Sequence, residues 1–232
     1  MAEPATPNLA RRLTAEALGS FFLFAGVLGS GVMAENLAGG NVALALLANT
    51  IATGAILYVI IAQFGPISGA HFNPAVTLAF SLRREISWRA GAAYVLMQIA
   101  AGALGAFAVH LMFDLEILQF STKARAGIGQ WTGEGVATFG LVLTILGLLR
   151  HRSEAIPAGV ALYITAAYWF TSSTSFANPA ITIVRSLSDT FAGIAPADVP
   201  AFIAAQLLGA VLAVVLGGWL FTSEQREEGP PK

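Results

Sequence analysis

Apolar runs alternate with short polar breaks along the whole chain, and six of these runs are candidates to cross a lipid bilayer. A membrane-spanning helix needs about 20 consecutive apolar residues to cover about 30 Å of hydrocarbon. The pattern therefore predicts an all-α membrane protein. The predicted spans are Leu13–Ala34, Val42–Phe64, Ala90–Phe113, Trp131–Leu149, Ile156–Thr171 and Pro200–Phe221. Residues 114–130 form a polar loop, and we expect the charged tail 223–232 to be disordered.

Two shorter apolar segments remain, at residues 74–82 and 179–187. Each begins with the same tripeptide, Asn73-Pro74-Ala75 in the first half and Asn178-Pro179-Ala180 in the second. Asparagine caps helix N-termini well and proline suits the first helical position, so each tripeptide predicts a helix start. At about 1.5 Å per residue, each segment reaches about half-way across the hydrocarbon. Surface loops are the alternative, but the apolar side chains favour two re-entrant half helices that line a cavity or are buried in protein.

The two tripeptides belong to a wider internal duplication. Thr14-Ala15-Glu16 opens the first half and Thr132-Gly133-Glu134 opens the second, while Gln98 in the third predicted span matches Gln206 in the sixth. Because each half contributes three spans, the two halves have opposite orientations in the membrane, which is a known way to build a solute path. We therefore predict a single membrane domain, 1–232, with one repeat at 12–113 and an inverted repeat at 131–221.

Basic residues are distributed unequally between the two sides of this arrangement, and cytoplasmic loops usually carry the excess. The predicted cytoplasmic side includes the N-terminal segment 1–11 and the tail 222–232. The opposite side carries Lys123, Arg125 and Arg185. The basic residues assigned to the cytoplasmic side are Arg11, Arg12, Arg83, Arg84, Arg89, Arg150, Arg152, Arg226 and Lys232.

Composition excludes several other classes of protein. Hydrophobic residues make up 56% of the chain and charged residues only 11%, whereas soluble domains carry about 25% charged residues. A net charge of −1 disfavours a nucleic-acid partner. The chain has no cysteine, and its three histidines are far apart in sequence, so we expect no metal site. We also find no motif for a cofactor and no nucleophile with a neighbouring base, so we expect that the protein is not an enzyme.

Glu16 and Glu134 lie inside predicted spans, where an ionisable side chain is a functional candidate. They are candidates for proton carriers in a coupled transporter. Alternatively, they accept hydrogen bonds from backbone N–H groups in the irregular segments before the half helices. The second interpretation is favoured because such segments leave many buried N–H groups without partners.

The doubled Asn-Pro-Ala box, the paired glutamates and the run Ser68-Gly69-Ala70-His71 resemble the major intrinsic protein family of aquaporins and aquaglyceroporins. The resemblance extends over residues 12–221. It implies six tilted helices and two half helices, a homotetramer with one pore per subunit, no cofactor, and passive movement of water and small neutral solutes. It further implies a multi-pass protein of the bacterial inner membrane.

The same resemblance implies roles for particular residues. Asn73 and Asn178 would donate to a passing solute. Glu134 would accept hydrogen bonds from backbone N–H groups of the loop at His71, and Glu16 from those of the loop near Ser175. Backbone carbonyls that line the pore would come from Gly69, Ala70, His71, Ser173 and Thr174.

The expected selectivity filter departs from the family pattern. Ile181 occupies the position after the second box where most members have arginine, and Arg185 follows one helical turn later. The other filter positions fall on Thr53, Ser175 and, in the fifth span, Tyr168, with Ala166 as the alternative for the last. Arg185 has two interpretations: it is a relocated filter arginine, or it pairs with Asp189 at helical spacing on a solvated rim.

These substitutions predict a wider and less charged filter than that of a water-selective pore. We hypothesise that small polyols and metalloid hydroxides such as arsenous acid pass through it along with water. The departure resembles a bacterial subgroup associated with arsenic-resistance operons. Two alternatives remain: a strictly water-selective aquaporin, and a proton-coupled carrier that uses Glu16 and Glu134. The aspartate typical of glycerol facilitators is replaced by Thr182, so passage of glycerol does not follow from the motif.

Overall fold

The structure of the protein is a computed structural model that describes residues 7–222. The tail 223–232, with Arg226 and Lys232, lies outside the described residues, as do residues 1–6. Two short 3-10 turns, Ser153–Ala155 and Pro196–Asp198, accompany the helices. The helices are α1 (Leu9–Leu37), α2 (Val42–Ser68), α3 (Pro74–Leu82), α4 (Trp88–Met112), α5 (Ile128–His151), α6 (Ile156–Phe170), α7 (Pro179–Arg185) and α8 (Val199–Leu220).

The predicted all-α architecture with two half helices is confirmed, and the helix ends differ from the prediction by up to four residues. Helix α1 begins earlier than predicted because the Asn8 side chain caps it, accepting from Arg11 N at 3.0 Å. Helix α2 continues through Pro66 and ends at Ser68. Its C-cap residue, Gly69, has a left-handed φ of 86° that suits glycine. The half helix α7 is two residues shorter than predicted, since Ser186 already caps its C-terminus.

Five helices in the described range are long and apolar enough to span a bilayer: α1, α2, α4, α5 and α8. Helix α6 has 15 residues, which corresponds to about 23 Å at 1.5 Å per residue. It packs against α2 and α5. The fifth predicted span is therefore a helix at the predicted position, but it is shorter than the others.

The two halves use the same packing scheme. Helix α1 packs against α2 and α4, and α5 packs against α6 and α8. The half helices cross between halves: α3 contacts α8, and α7 contacts α4. They also contact each other. This exchange brings the N-termini of α3 and α7 to the centre of the molecule.

Glycines allow the closest helix pairs to form. A Cβ atom built on Gly209 of α8 would lie 2.4 Å from the Gly135 carbonyl oxygen of α5. A Cβ on Gly105 of α4 would lie 2.5 Å from the Phe21 carbonyl oxygen of α1. Both neighbours are backbone atoms that side-chain rotation cannot move. Small residues at such positions let membrane helices pack by backbone contact.

Gly209→Leu is therefore expected to separate α8 from α5 and to lower the thermal unfolding temperature of the purified protein sharply. Gly218→Leu is the matched control on the same helix, because nothing lies within 4 Å of a Cβ built there. Unfolding in detergent micelles, followed by loss of the monodisperse size-exclusion peak, measures both variants. Equal unfolding temperatures for the two variants would contradict this account of the packing.

Candidate functional site

A central cavity is lined by residues of both halves, including Asn73 and Asn178 at the N-termini of the two half helices. Most of the residues singled out from sequence line this cavity. They are Thr53, Gly69, Ala70, His71, Tyr168, Ser175, Ile181 and Arg185. Much of the remaining wall is apolar and includes Leu23, Val27, Leu57, Ile61, Leu141, Ile145, Val160 and Ile164.

Ser173 and Thr174 are not among the lining residues, although we expected their carbonyls there. Ser173 is fully buried, and its carbonyl accepts a hydrogen bond from Arg125 Nη1 at 3.3 Å. Phe176 and Ala177 line the cavity on this side instead. The lining segment is thus placed closer to Asn178 along the chain than expected.

The two asparagines hold the half helices together at the centre. Asn73 Nδ2 donates to the Ala177 carbonyl at 2.7 Å, and Asn178 Nδ2 donates to the Phe72 carbonyl at 2.8 Å. Their Oδ1 atoms accept from backbone N–H groups of α3 and α7, as N-caps do. Each amide nitrogen has two hydrogens. One is used across the interface, so the second can donate to a molecule in the cavity.

The buried glutamates bind the loops before the half helices, but not in the crossed arrangement that we expected. Glu16 accepts from His71 N at 2.9 Å and Phe72 N at 2.8 Å. Glu134 accepts from Phe176 N and Ala177 N, both at 2.8 Å. The predicted crossed pairing is wrong. Each glutamate serves its own half because α1 packs on α2, and α5 on α6, and these neighbours lead directly into the two loops.

Both loops contain non-glycine residues in the left-handed region of backbone space. Ala70 and Phe72 have φ values of 50° and 49°, and Ser175 and Ala177 have 49° and 48°. Such a conformation costs about 1–2 kcal/mol per residue. The hydrogen bonds from backbone N–H groups of these loops to Glu16 and Glu134 hold the backbone in this conformation. The sequence contained no signal for this feature, because alanine, phenylalanine and serine do not favour positive φ.

A glutamine and a threonine complete each loop anchor. Gln98 Nε2 donates to Glu16 Oε2 at 2.8 Å and to Thr77 Oγ1 at 3.1 Å. In the second half, Gln206 Nε2 donates to Glu134 Oε2 and to Thr182 Oγ1 at 2.9 Å. Sequence reasoning missed the role of these two threonines. The signal for them was the shared spacing of threonine four residues after each asparagine.

His71 joins the polar contacts of the first loop through Thr77. Thr77 Oγ1 lies 3.0 Å from the Asn73 carbonyl and 3.1 Å from His71 Nδ1. The ring tautomer decides which of the two groups donates in the second contact. His71 packs on Phe80, with ring centroids 4.6 Å apart, and lines the cavity.

Hydroxyl groups dominate the polar wall at the filter positions. Thr53 Oγ1 lies 3.3 Å from the Tyr168 hydroxyl, and both residues are buried. Ser175 Oγ has no hydrogen-bond partner within residues 7–222. Ala166, the alternative to Tyr168, is exposed and is not a lining residue. The site therefore combines three hydroxyls with the apolar side chain of Ile181.

Arg185 lies in the cavity wall, so the solvated-rim interpretation is wrong. Arg185 is only 3% exposed, and its Nε donates to the Ala192 carbonyl. Its guanidinium carbon lies 3.3 Å from the centroid of the Phe176 ring. Asp189 instead accepts from Thr122 N at 2.8 Å. The predicted ion pair between Arg185 and Asp189 does not form, because α7 ends at Arg185 and Asp189 does not lie one helical turn further on.

This fold defines a helical membrane protein in which two half helices meet at a central cavity. The major intrinsic protein family matches residues 3–170, and the chain belongs to that family. It is 57% identical over 213 residues to aquaglyceroporin AqpS of Rhizobium meliloti (strain 1021), covering 92% of this chain and 91% of that protein. It is 30% identical over 215 residues to aquaporin NIP1-1 of Oryza sativa subsp. japonica, covering 91% and 73% of the two chains.

The fold also matches that of a solved structure, the X-ray structure of the aquaglyceroporin from Plasmodium falciparum, with a TM-score of 0.69. The match covers 90% of this chain and 95% of the other at 18% sequence identity. At that identity the comparison supports the arrangement of helices. Within the described part of the chain, no three His, Asp or Glu side chains are placed to hold a metal ion.

Proposed function

We infer that the protein is a passive channel through which water and small uncharged solutes cross the membrane. The observation that carries this function is the cavity between Asn73 and Asn178, with donors at its centre and apolar side chains along much of its wall. Family membership supports the same function.

Two features of the centre favour neutral molecules. A helix N-terminus carries about half a positive charge, and the N-termini of both half helices lie at the cavity. A cation there loses its hydration shell and meets a positive potential, whereas a neutral hydroxyl compound does neither. The amide N–H groups of Asn73 and Asn178 would donate hydrogen bonds to its oxygen atoms in place of water.

The filter suits solutes that carry several hydroxyl groups. Thr53, Tyr168 and Ser175 offer hydroxyls that can both donate and accept, and Ile181 offers an apolar surface. We propose small polyols and metalloid hydroxides such as arsenous acid as substrates beside water. The relative from Rhizobium meliloti, named an aquaglyceroporin, supports a pore wider than a strict water channel.

Orientation and assembly complete the proposal. We propose that both termini lie in the cytoplasm of a bacterial cell and the channel in its inner membrane, because the predicted cytoplasmic side carries the excess of basic residues. The Arg185 end of the cavity then faces outward and the His71 end inward. Large apolar side chains such as Leu96, Leu104 and Leu208 are exposed on the outer surfaces of the helices, where lipid or neighbouring subunits of a homotetramer would cover them.

The hydrogen bonds of the glutamates favour the channel over the proton-coupled carrier. Each carboxylate accepts from two backbone N–H groups and a glutamine, so both act as structural acceptors for the loops. Protonation would displace at least one of these donors. A carrier that cycles through protonation would repeatedly disrupt the lining of its own pathway.

Stopped-flow light scattering of proteoliposomes tests the function, with water, glycerol and arsenite (neutral arsenous acid at pH 7) measured in parallel. We expect protein-dependent flux of water and arsenous acid that does not change when a pH gradient is imposed. Flux of water alone would leave the strict aquaporin as the better interpretation. Solute uptake that requires a proton gradient would contradict the channel.

A further inference from the structure

Three cationic side chains bind three consecutive backbone carbonyls beside the cavity. Lys123 Nζ donates to the Phe191 carbonyl at 2.6 Å, and Arg125 Nε donates to the Gly193 carbonyl at 2.8 Å. Between them, Arg185 Nε donates to the Ala192 carbonyl. Two of these cations come from the loop that connects the two halves, residues 113–127, and the third comes from the half helix α7.

Nearby carboxylates do not form ion pairs with this cluster in residues 7–222. Asp189 accepts from Thr122, and Asp198 Oδ2 accepts from the backbone N of Arg125 at 2.7 Å rather than from its guanidinium. Within residues 7–222, the side-chain ion pairs lie elsewhere, at Arg83–Glu85 and Arg152–Glu154. The carbonyls that hold the cations are neutral. Glu134, which accepts from the backbone N of Phe176, acts on both arginines, so one carboxylate offsets only part of their two positive charges. Glu35 acts on Lys123.

Arg125 and Arg185 are buried, and the three cations act on one another electrostatically. Burial lowers the pKa of Arg125, which nevertheless stays protonated at neutral pH as arginine does in proteins. The pKa of Lys123 is lowered first by burial and then by the positive charges of Arg125 and Arg185. The three charges are therefore close enough to act on one another.

Two of the three charges also lie against the cavity wall. The guanidinium carbons of Arg185 and Arg125 lie 3.3 Å and 4.9 Å from the centroid of the Phe176 ring, which lines the cavity. Arg125 is only 9% exposed, so solvent screens its charge weakly. Lys123 packs on the ring of Phe191 and is exposed.

The connecting loop is fixed firmly enough to hold Arg125 in this position. Ser121 N donates to the Ser186 carbonyl at 2.9 Å, and Ala195 N donates to the Lys123 carbonyl at 2.7 Å. These bonds join the loop to the segment that follows α7. Arg125 is thus positioned from two directions, by its own backbone and by its side chain.

We propose that Arg125 determines charge selectivity, acting together with Arg185 as a paired electrostatic barrier to cations at this end of the pore. The proposal rests on the channel function above. Position 181, at the first turn of α7, is apolar isoleucine and supplies no charge. The barrier therefore depends on Arg185, which lines the cavity, and on Arg125, which packs on the Phe176 ring. Two guanidinium charges that a single carboxylate offsets only in part raise the energy of an entering cation far more in surroundings of low dielectric than they would in water.

Planar-bilayer recording under a potassium chloride gradient tests the role of Arg125 in the purified full-length protein. Arg125→Gln is expected to raise cation conductance about tenfold over wild type, equivalent to about 1.4 kcal/mol. The reversal potential should move toward the potassium equilibrium potential. Arg125→Lys keeps the charge and should restore exclusion. Should Arg125→Gln not fold, Arg125→Met, which retains packing on Phe176, takes its place.

Lys123→Gln is the matched control, because it removes an exposed cation from the same row of carbonyls. We expect its conductance to equal that of wild type. Unchanged ion exclusion in Arg125→Gln would overturn the proposal, as would an equal leak in Lys123→Gln or a leak without preference for cations. Water and arsenous acid flux in wild-type vesicles is measured separately, so failure of the channel function itself remains distinguishable.

Discussion

Glu134→Leu is expected to abolish solute flux and to destabilise the protein. The leucine leaves Phe176 N, Ala177 N and Gln206 Nε2 without their acceptor, and each buried unsatisfied donor costs about 1–3 kcal/mol. Ala177 also holds a left-handed conformation that loses its fixed N–H, and its carbonyl receives Asn73. Loss of the Glu134 carboxylate is therefore expected to disturb the centre of the pore, because Ala177 contacts both Glu134 and Asn73.

Glu134→Gln separates the structural role from a proton-carrying role. Glutamine keeps one oxygen acceptor and cannot titrate, so a channel should retain part of its water flux, whereas a proton-coupled carrier should lose transport entirely. Glu154→Gln, on an exposed turn, is the control and should behave as wild type. Stopped-flow swelling and thermal unfolding are measured on all three variants. Full activity in Glu134→Leu would contradict the assignment.

Local signals in the sequence were sufficient to predict the architecture. The half helices were predictable because asparagine and proline act on the residues next to them, as cap and as first helical residue. Asn73 and Asn178 cap α3 and α7 as expected. Length and hydropathy identified the membrane-spanning helices, since both are properties of continuous segments. Length alone does not identify α6 as a membrane-spanning helix, because it has only 15 residues.

Features that depend on three-dimensional packing were not predictable in the same way. The partner of each glutamate depends on which helix lies beside which loop, and sequence order alone led to the crossed pairing. The burial of Arg185 depends on a chain reversal after Ser186 that brings Ala192 back to its guanidinium. Arg125 was placed only on one side of the membrane, because its contact with Phe176 joins residues far apart in the chain.

The internal duplication gives a physical test for which residues belong to the scaffold. Glu16 and Glu134, with their glutamines, make equivalent contacts in both halves and hold the loops. Other residues that line the cavity break this symmetry. His71 in the first loop is matched by Phe176 in the second, and each lies two residues before the asparagine. Selectivity is thus expected from the asymmetric positions, while the symmetric ones determine whether the cavity forms.

Ile181→Arg is expected to narrow the filter and to exclude the larger solutes while sparing water. Ile181 is 5% exposed and lines the cavity, so a longer cationic side chain there must project into the lumen or displace Arg185. We expect arsenous acid flux to fall between about tenfold and a hundredfold, the range over which a modest change in pocket shape discriminates between substrates. Water flux should fall by much less, because a single water molecule needs a smaller opening.

Ile181→Leu preserves the apolar character and volume of the side chain and serves as the control for Ile181→Arg. Both variants are reconstituted at equal protein-to-lipid ratios, and water and arsenous acid fluxes are measured on the same vesicles. The ratio of the two fluxes then reports on the filter independently of expression and insertion. An unchanged ratio in Ile181→Arg would show that the constriction lies elsewhere in the cavity, because a charged side chain at a lining position would then have no influence on solute size.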